Sequence, residues 1–142
     1  MRKLLFVAAG LLLAGCTTTP VSEATAKPVP ADRILGYQSE ISAGGVLVVT
    51  RDSGAFGSGC YLGIYIDGAP AARIGPGEIA KFQVPAGEHL IGMGKDPNGR
   101  VLCAIDGMAL REIQATVSAG QTRRYRVFGD LNAGFSISPT SF

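Results

Sequence analysis

Short runs that alternate apolar and polar residues, or that are rich in valine and isoleucine, recur along most of the chain. The clearest runs are residues 46–51, 60–67, 71–74, 80–84, 89–93, 101–105, 113–117 and 125–127, and Phe135 and Ile137 continue the pattern. β-Branched and aromatic residues bounded by glycine clusters are typical of strands. No segment has the 3.6-residue period of an amphipathic helix, so the pattern predicts an all-β domain.

Turn signals separate the runs at short, regular intervals. Asp67-Gly68 is a favoured tight-turn pair, so residues 61–66 and 71–74 are predicted to form a hairpin. The sequence Asp96-Pro97-Asn98-Gly99 is a second strong turn signal. Strands at this spacing predict an antiparallel β-sandwich or a small open barrel over residues 33–142, in which residues 33–42 are irregular or a short helical turn.

The first fifteen residues have a different character. Arg2 and Lys3 precede an unbroken apolar stretch at residues 4–14. As a helix this stretch would be about 16 Å long, roughly half of the ~30 Å hydrocarbon core of a bilayer. It is too short for a permanent membrane span and is typical of a secretory signal peptide, here residues 1–15.

The end of this segment, Leu13-Ala14-Gly15-Cys16, resembles the lipobox of bacterial lipoproteins. The resemblance implies cleavage before Cys16, a diacylglycerol on its thiol and a further acyl chain on its new N-terminus. In that family an Asp after the cysteine favours the inner membrane, so Thr17 implies the outer membrane. The alternative is a plain secretory signal in which Cys16 is incidental.

Residues 17–32 are rich in Thr, Ala and Pro and have no apolar periodicity. Such composition predicts a flexible segment, so residues 16–32 are expected to be a lipidated tether with a reach of about 20–25 Å. The sandwich would then be held clear of the lipid headgroups, on the periplasmic side of the membrane.

Charge excludes one class of partner. The 142 residues include 13 Lys and Arg and 11 Asp and Glu, and two of the basic residues lie in the signal peptide. The remainder is formally neutral, and its longest basic run is Arg123-Arg124. Because sequence-independent nucleic-acid binding needs a basic surface, no nucleic-acid partner is expected.

Three motifs resemble the PEGA-type β-domain of small envelope lipoproteins. They are Ile66-Asp67-Gly68, the stretch FQVPAGEHLI at residues 82–91 and the turn VSAGQ at residues 117–121. The resemblance covers roughly residues 46–127, and the chain departs from it by carrying two cysteines and a longer glycine-rich loop. It implies a β-sandwich and a structural place for His89, and it implies nothing about activity.

With Cys16 acylated, Cys60 and Cys103 remain as an even pair in an oxidising compartment. They are expected to form a structural disulfide, across strands or between sheets. Neither cysteine belongs to a C-x-x-C pair, so redox catalysis is disfavoured.

Candidate chemistry is sparse. His89 is the only histidine, and it lies in a turn motif rather than beside a nucleophile. No metal-ligand spacing is present, and no metal or cofactor is expected. The glycine-rich loop at residues 54–59 lacks the spacing of a phosphate-binding loop, and its Phe56 is a candidate exposed contact. Arg124 and Arg126 share one face of a strand, either as a solvated surface or as a contact for an anionic glycan or protein.

These features favour a non-enzymatic outer-membrane lipoprotein that binds an envelope protein or glycan. The alternative is an inhibitor of an envelope-attacking hydrolase such as lysozyme, which would insert the loop at residues 52–59. An enzyme is the third and least favoured hypothesis.

Overall fold

The computed structural model describes residues 17–104 and 108–141, which form two packed β-sheets. The strands are β1 (Lys27–Pro28), β2 (Gly45–Arg51), β3 (Leu62–Ile66), β4 (Ala69–Ile74), β5 (Glu78–Val84), β6 (Gly87–Gly94), β7 (Arg111–Val117), β8 (Thr122–Asp130) and β9 (Gly134–Pro139). Two short 3₁₀ helices, Ala31–Arg33 and Val101–Ala104, complete the regular structure of this part of the chain.

The two sheets confirm the predicted all-β sandwich. One has the strand order β1-β5-β2-β8-β9 and the other β4-β3-β6-β7, and neither closes into a barrel within the described ranges. The expectation of purely antiparallel strands was wrong at two places, because β2 pairs with β8 and β1 with β5 in parallel. Local sequence predicts strands well, but it does not state which distant strand each one joins.

The core lies between the sheets and follows the two-residue period of each strand. Leu47, Val49 and Phe82 from one sheet and Ile64 and Ile91 from the other are fully buried. Burying side chains of this kind contributes about 1.5–3 kcal/mol each. On β8 the same period turns Tyr125 into the core and places Arg124 and Arg126 on the outer face, as predicted.

The predicted hairpin forms from β3 and β4 around Asp67-Gly68. Both turn residues have positive φ angles, 50° and 78°. Two successive left-handed residues are the geometry of a two-residue hairpin turn, and an Asp-Gly pair adopts it at low cost.

A predicted strand at residues 101–105 was wrong. Residues 101–104 form a 3₁₀ helix, and Ile105 lies outside the described residues. Val101 and Leu102 are strongly exposed, and Cys103 is bonded to Cys60 rather than paired in a ladder. An apolar run becomes a strand only where a neighbouring strand is available, and here a covalent bond fixes the segment outside both sheets.

The segment expected to be a flexible tether is docked on the sandwich from Thr17 onwards. Thr17 and Thr19 form isolated bridges with Asp130 and Ser53, and β1 adds to the edge of the larger sheet. Val29 is buried in the core. Backbone hydrogen bonds make most of these contacts, and prolines are tolerated on an edge strand, so composition alone did not reveal the docking.

Candidate functional site at the stapled end of the sandwich

The sandwich has two unlike ends. Because β2 and β8 run in parallel, their last residues lie at one end, which also carries the Cys60–Cys103 disulfide. We call it the stapled end, and it comprises residues 17–19, 52–61, 95–104, 108–110 and 131–133. The opposite end, called the turn end, comprises the short connections at residues 67–68, 85–86 and 118–121.

The predicted disulfide is confirmed. Cys60 and Cys103 are bonded, with their Cα atoms 5.5 Å apart and a sequence separation of 43. Cys60 ends the glycine-rich loop that follows β2, and Cys103 lies in the second 3₁₀ helix. The bond therefore joins two loops at the stapled end and does not link two strands.

A buried arginine fixes the same loop from inside. Arg51 is 1% exposed, and its guanidinium donates to the carbonyl oxygens of Gly57 (2.7 Å), Cys60 (2.9 Å) and Ile74 (2.9 Å). Burial lowers the pKa of Arg51 to about 10, against a smaller opposing effect of the Glu78 charge. The role of Arg51 was not predicted from the sequence. Arg51 lies two residues after Val49 and four after Leu47, and the two-residue period of a strand places all three on the core face of β2.

The prediction that Phe56 is an exposed contact was wrong. Its ring packs on that of Phe135 with centroids 4.9 Å apart, and it lies against the core. Gly57 next to it has a φ of 64°, and a Cβ there would come within 2.5 Å of the Phe135 ring. Only glycine allows the loop to approach the ring this closely, so the loop folds inward.

Arg124 and Arg126, predicted to be either a solvated surface or a contact for an anionic partner, bind acids of their own chain. Arg126 holds the buried Asp52 through two hydrogen bonds of 3.1 and 2.5 Å. Arg124 donates to Glu23 at 3.0 Å, and Lys81 also binds that carboxylate. These donors hold the pKa of Glu23 below its ordinary value, with Lys81 making the largest contribution.

The same group of side chains secures the first described residues. The Thr18 hydroxyl donates to Asp52 at 2.9 Å and accepts from the Gly129 amide at 3.0 Å. The Thr18 amide donates back to the Gly129 carbonyl, also at 3.0 Å. Asp52 thus connects Arg126 to Thr18, and the outer face of β8 serves as the binding surface for the segment that follows Cys16.

An open cleft of about 730 Å³ lies beside the disulfide. Its floor includes Tyr61, whose ring has the guanidinium carbons of Arg33 and Arg73 at 4.1 and 5.1 Å from its centroid. Asn98 and Arg100 line the rim and are exposed. Tyr61 is 39% exposed, and Asn98 and Arg100 add hydrogen-bond donors at the rim.

Two ion pairs hold the cleft in shape. Arg73 binds Asp96 through bonds of 2.7 and 2.9 Å, and Arg33 binds Glu78 through bonds of 2.7 and 2.6 Å. Burial on its own raises the pKa of Asp96 and of Glu78, but the bonds from the arginines and from backbone amides outweigh it and lower both values. The turn signal at Asp96 therefore marks an ion pair as well as a turn.

Several large apolar side chains at the stapled end face solvent. Val101 is 85% exposed, Leu102 75% and Leu131 66%, and Met108 and Leu110 are exposed to a smaller degree. Leu102 and Met108 line one small concavity with Cys60 and Phe135. Exposed apolar groups gathered at one place on a small domain indicate an interaction surface.

His89 lies near the turn end, and both of its ring nitrogens are hydrogen-bonded within the domain. Its Nδ1 is 2.7 Å from Asp67 Oδ2 and its Nε2 is 2.8 Å from the Pro85 carbonyl oxygen. Burial alone would lower the pKa of His89, but these two hydrogen bonds and the Asp67 charge raise it above its ordinary value. Both ring nitrogens face acceptors, which the doubly protonated imidazolium satisfies.

Residues 17–104 and 108–141 contain no group of three or more His, Cys, Asp or Glu side chains placed to hold a metal ion. No helix in the same part of the chain is long and apolar enough to cross a membrane. Cys16, the predicted lipidation site, and the acid Asp106 lie outside the described residues.

Comparison with protein-family models, curated proteins and solved structures found no match to this chain. The resemblances to the lipobox and to PEGA-type domains therefore stay predictions from the motifs that carry them.

Proposed function

We propose that the chain is an outer-membrane lipoprotein whose β-sandwich is a non-enzymatic domain that contacts an envelope protein or glycan. The observation that carries the proposal is the junction between signal and domain. The sequence ends its apolar signal at Cys16, and the next residues, Thr17 to Thr19, are hydrogen-bonded to the sandwich. The proposed anchor and the folded domain are thus consecutive in the chain.

The state of the reactive side chains supports a non-enzymatic role. Both nitrogens of His89 are engaged, and the thiols of Cys60 and Cys103 are bonded to each other. Asp52 and Asp96 are each held by an arginine. A general base must be able to reach a substrate proton, and these groups are committed to the fold.

The cleft beside the disulfide is the surface we assign to the partner. Tyr61 offers a partly exposed aromatic ring, and Asn98 and Arg100 offer exposed polar groups at the rim of the cleft. This combination suits a polar chain such as a glycan or an extended peptide. The alternative of a hydrolase inhibitor has less support, because the Phe56 side chain that would enter an enzyme's active site packs inward on Phe135.

Two experiments test the proposal. Cys16→Ser should abolish labelling with radioactive palmitate and leave the protein uncleaved or soluble, and normal labelling of this variant would exclude lipidation at Cys16.

The second experiment tests the cleft. In cells, cross-linking to envelope partners should be lost in Arg100→Glu and retained in Arg123→Glu, which alters an exposed arginine on β8 outside the cleft. Equal loss in both variants would indicate a non-specific charge effect and contradict the assignment of the cleft.

A further inference from the structure

The exposed apolar side chains and the start of the docked segment lie at the same end of the sandwich. Thr17 bridges Asp130, the last residue of β8, and Leu131 follows directly. Consecutive Cα atoms are about 3.8 Å apart, so acyl chains on Cys16 would begin within one residue of this end. The nine residues of β8 separate it from the turn end by about 30 Å.

From this placement we infer that the stapled end rests on the bilayer, with the exposed side chains of Leu131, Val101 and Leu102 inserted among the lipid headgroups and the cleft beside the disulfide left at the membrane surface. The inference rests on the proposed function, since it needs the acyl chains of Cys16. Because residues 17–19 are hydrogen-bonded to the sandwich, the distance between Cys16 and the domain cannot vary as it would with a flexible tether. The acyl chains and the exposed leucines must then meet the membrane together.

The hairpin tip that carries Leu131 is built to project it. The Asp130 carboxylate accepts hydrogen bonds from the amides of Asn132 (2.7 Å) and Ala133 (2.8 Å), which closes the turn. Arg111 on β7 donates to the Ala133 carbonyl at 3.3 Å and to the Ser136 hydroxyl at 2.8 Å. The tip is therefore held in place while its leucine remains 66% exposed.

The second projection is held by the disulfide. Cys103 fixes the 3₁₀ helix to Cys60, and Val101 and Leu102 are the most exposed large apolar residues of the described chain. Apolar side chains on a polar surface are the elements with which peripheral proteins enter the headgroup region. The acyl chains together with two such projections fix an orientation, which a lipid anchor alone does not.

Tryptophan fluorescence can measure this orientation, since the chain contains no Trp. Leu131→Trp and Leu102→Trp are introduced singly into the full-length acylated protein. Ala119→Trp is the matched control, because it occupies the exposed turn at the other end of β8. Each variant is reconstituted into vesicles of phosphatidylethanolamine and phosphatidylglycerol that contain a lipid brominated near the top of its acyl chain.

Emission of Leu131→Trp and Leu102→Trp should shift to the blue on reconstitution and fall about twofold with brominated lipid, because the apolar face of a peripheral protein enters about 5–10 Å. Ala119→Trp should show neither change.

Mass spectrometry of the same samples reports whether Cys16 carries acyl chains. An unmodified Cys16 would contradict both the proposed function and the orientation. If the protein is acylated and floats with vesicles but neither variant is quenched, only the orientation is overturned.

Discussion

The stapled end and the turn end of the sandwich are stabilised by different kinds of contact. At the turn end the connections are short turns, such as Asp67-Gly68 between β3 and β4, and one side-chain pair, Asp67 with His89, joins that turn to β6. At the stapled end, the contacts join residues far apart: Cys60 to Cys103, Arg126 to Asp52, and Thr18 to Gly129. Local turn chemistry can be recognised in a sequence, whereas long-range side-chain contacts cannot.

The two ends also differ in the side chains that they present to solvent. Short turns leave little besides backbone and small side chains in contact with solvent. The stapled end can present Val101, Leu102 and Leu131 to solvent because a disulfide, a buried arginine and a capped hairpin hold the loops that carry them. Functional side chains are commonly found on loops that a rigid scaffold supports.

The largest expected effect comes from removing the staple. The double variant Cys60→Ala with Cys103→Ala opens a loop with a sequence separation of 43 residues. On the chain-entropy model, the free energy of unfolding should fall by about 4 kcal/mol, measured by urea denaturation. A loss below about 1 kcal/mol would show that the two loops stay in place without the covalent bond.

Replacing the buried guanidinium should cost somewhat less. Arg51→Met retains the length of the side chain but leaves the carbonyls of Gly57, Cys60 and Ile74 without their donor. We expect a loss of about 3 kcal/mol in urea denaturation. The control Arg123→Met alters an exposed arginine and should change stability by less than about 0.5 kcal/mol. Similar values for both variants would contradict the role assigned to Arg51.

At the turn end, the pair of His89 and Asp67 predicts a dependence on pH. The pKa of His89 is raised in the folded protein, so its contribution to stability is complete below the pKa of an unfolded histidine, about 6.5, and is lost as pH rises through the raised value. The pKa of Asp67 is lowered, since its bonds to His89 and Leu90 outweigh burial, and its contribution is lost as pH falls through that lowered value.

The measurement is the urea midpoint between about pH 6 and about pH 9, where the wild-type protein should lose stability. His89→Gln should cost about 1 kcal/mol at the acid end and remove most of the slope. An unchanged slope in this variant would assign the pH dependence to another group.

The smallest effect is expected at the centre of the sandwich, which belongs to neither end. The Tyr125 hydroxyl is buried and meets no hydrogen-bond partner among the described residues. Tyr125→Phe should therefore be neutral or stabilising, within about 1 kcal/mol by thermal unfolding. A clear destabilisation would show that the hydroxyl is bonded in solution.

The sequence was sufficient to predict the class of fold and most strands, because alternation and glycine turns are local signals. It was sufficient for the disulfide, because a predicted oxidising compartment and the predicted acylation of Cys16 left one pair of cysteines. It failed at Phe56, whose inward packing depends on Phe135 far along the chain, and it did not reveal the acids that bind Arg124 and Arg126, which lie on distant segments. It also failed for residues 17–32, whose contacts are made mostly by the backbone.

The central claim is that the segment after Cys16 belongs to the folded domain, and amide hydrogen exchange tests it most directly. The amides of Thr18, Thr19, Lys27 and Val29 donate to Gly129, Ser53, Gly77 and Ile79. The account predicts that these four amides exchange much more slowly than the amide of Ser22, which has no such acceptor in the described chain. Exchange of all five at the rate of an unstructured peptide would show that the segment is a free tether and would contradict the account.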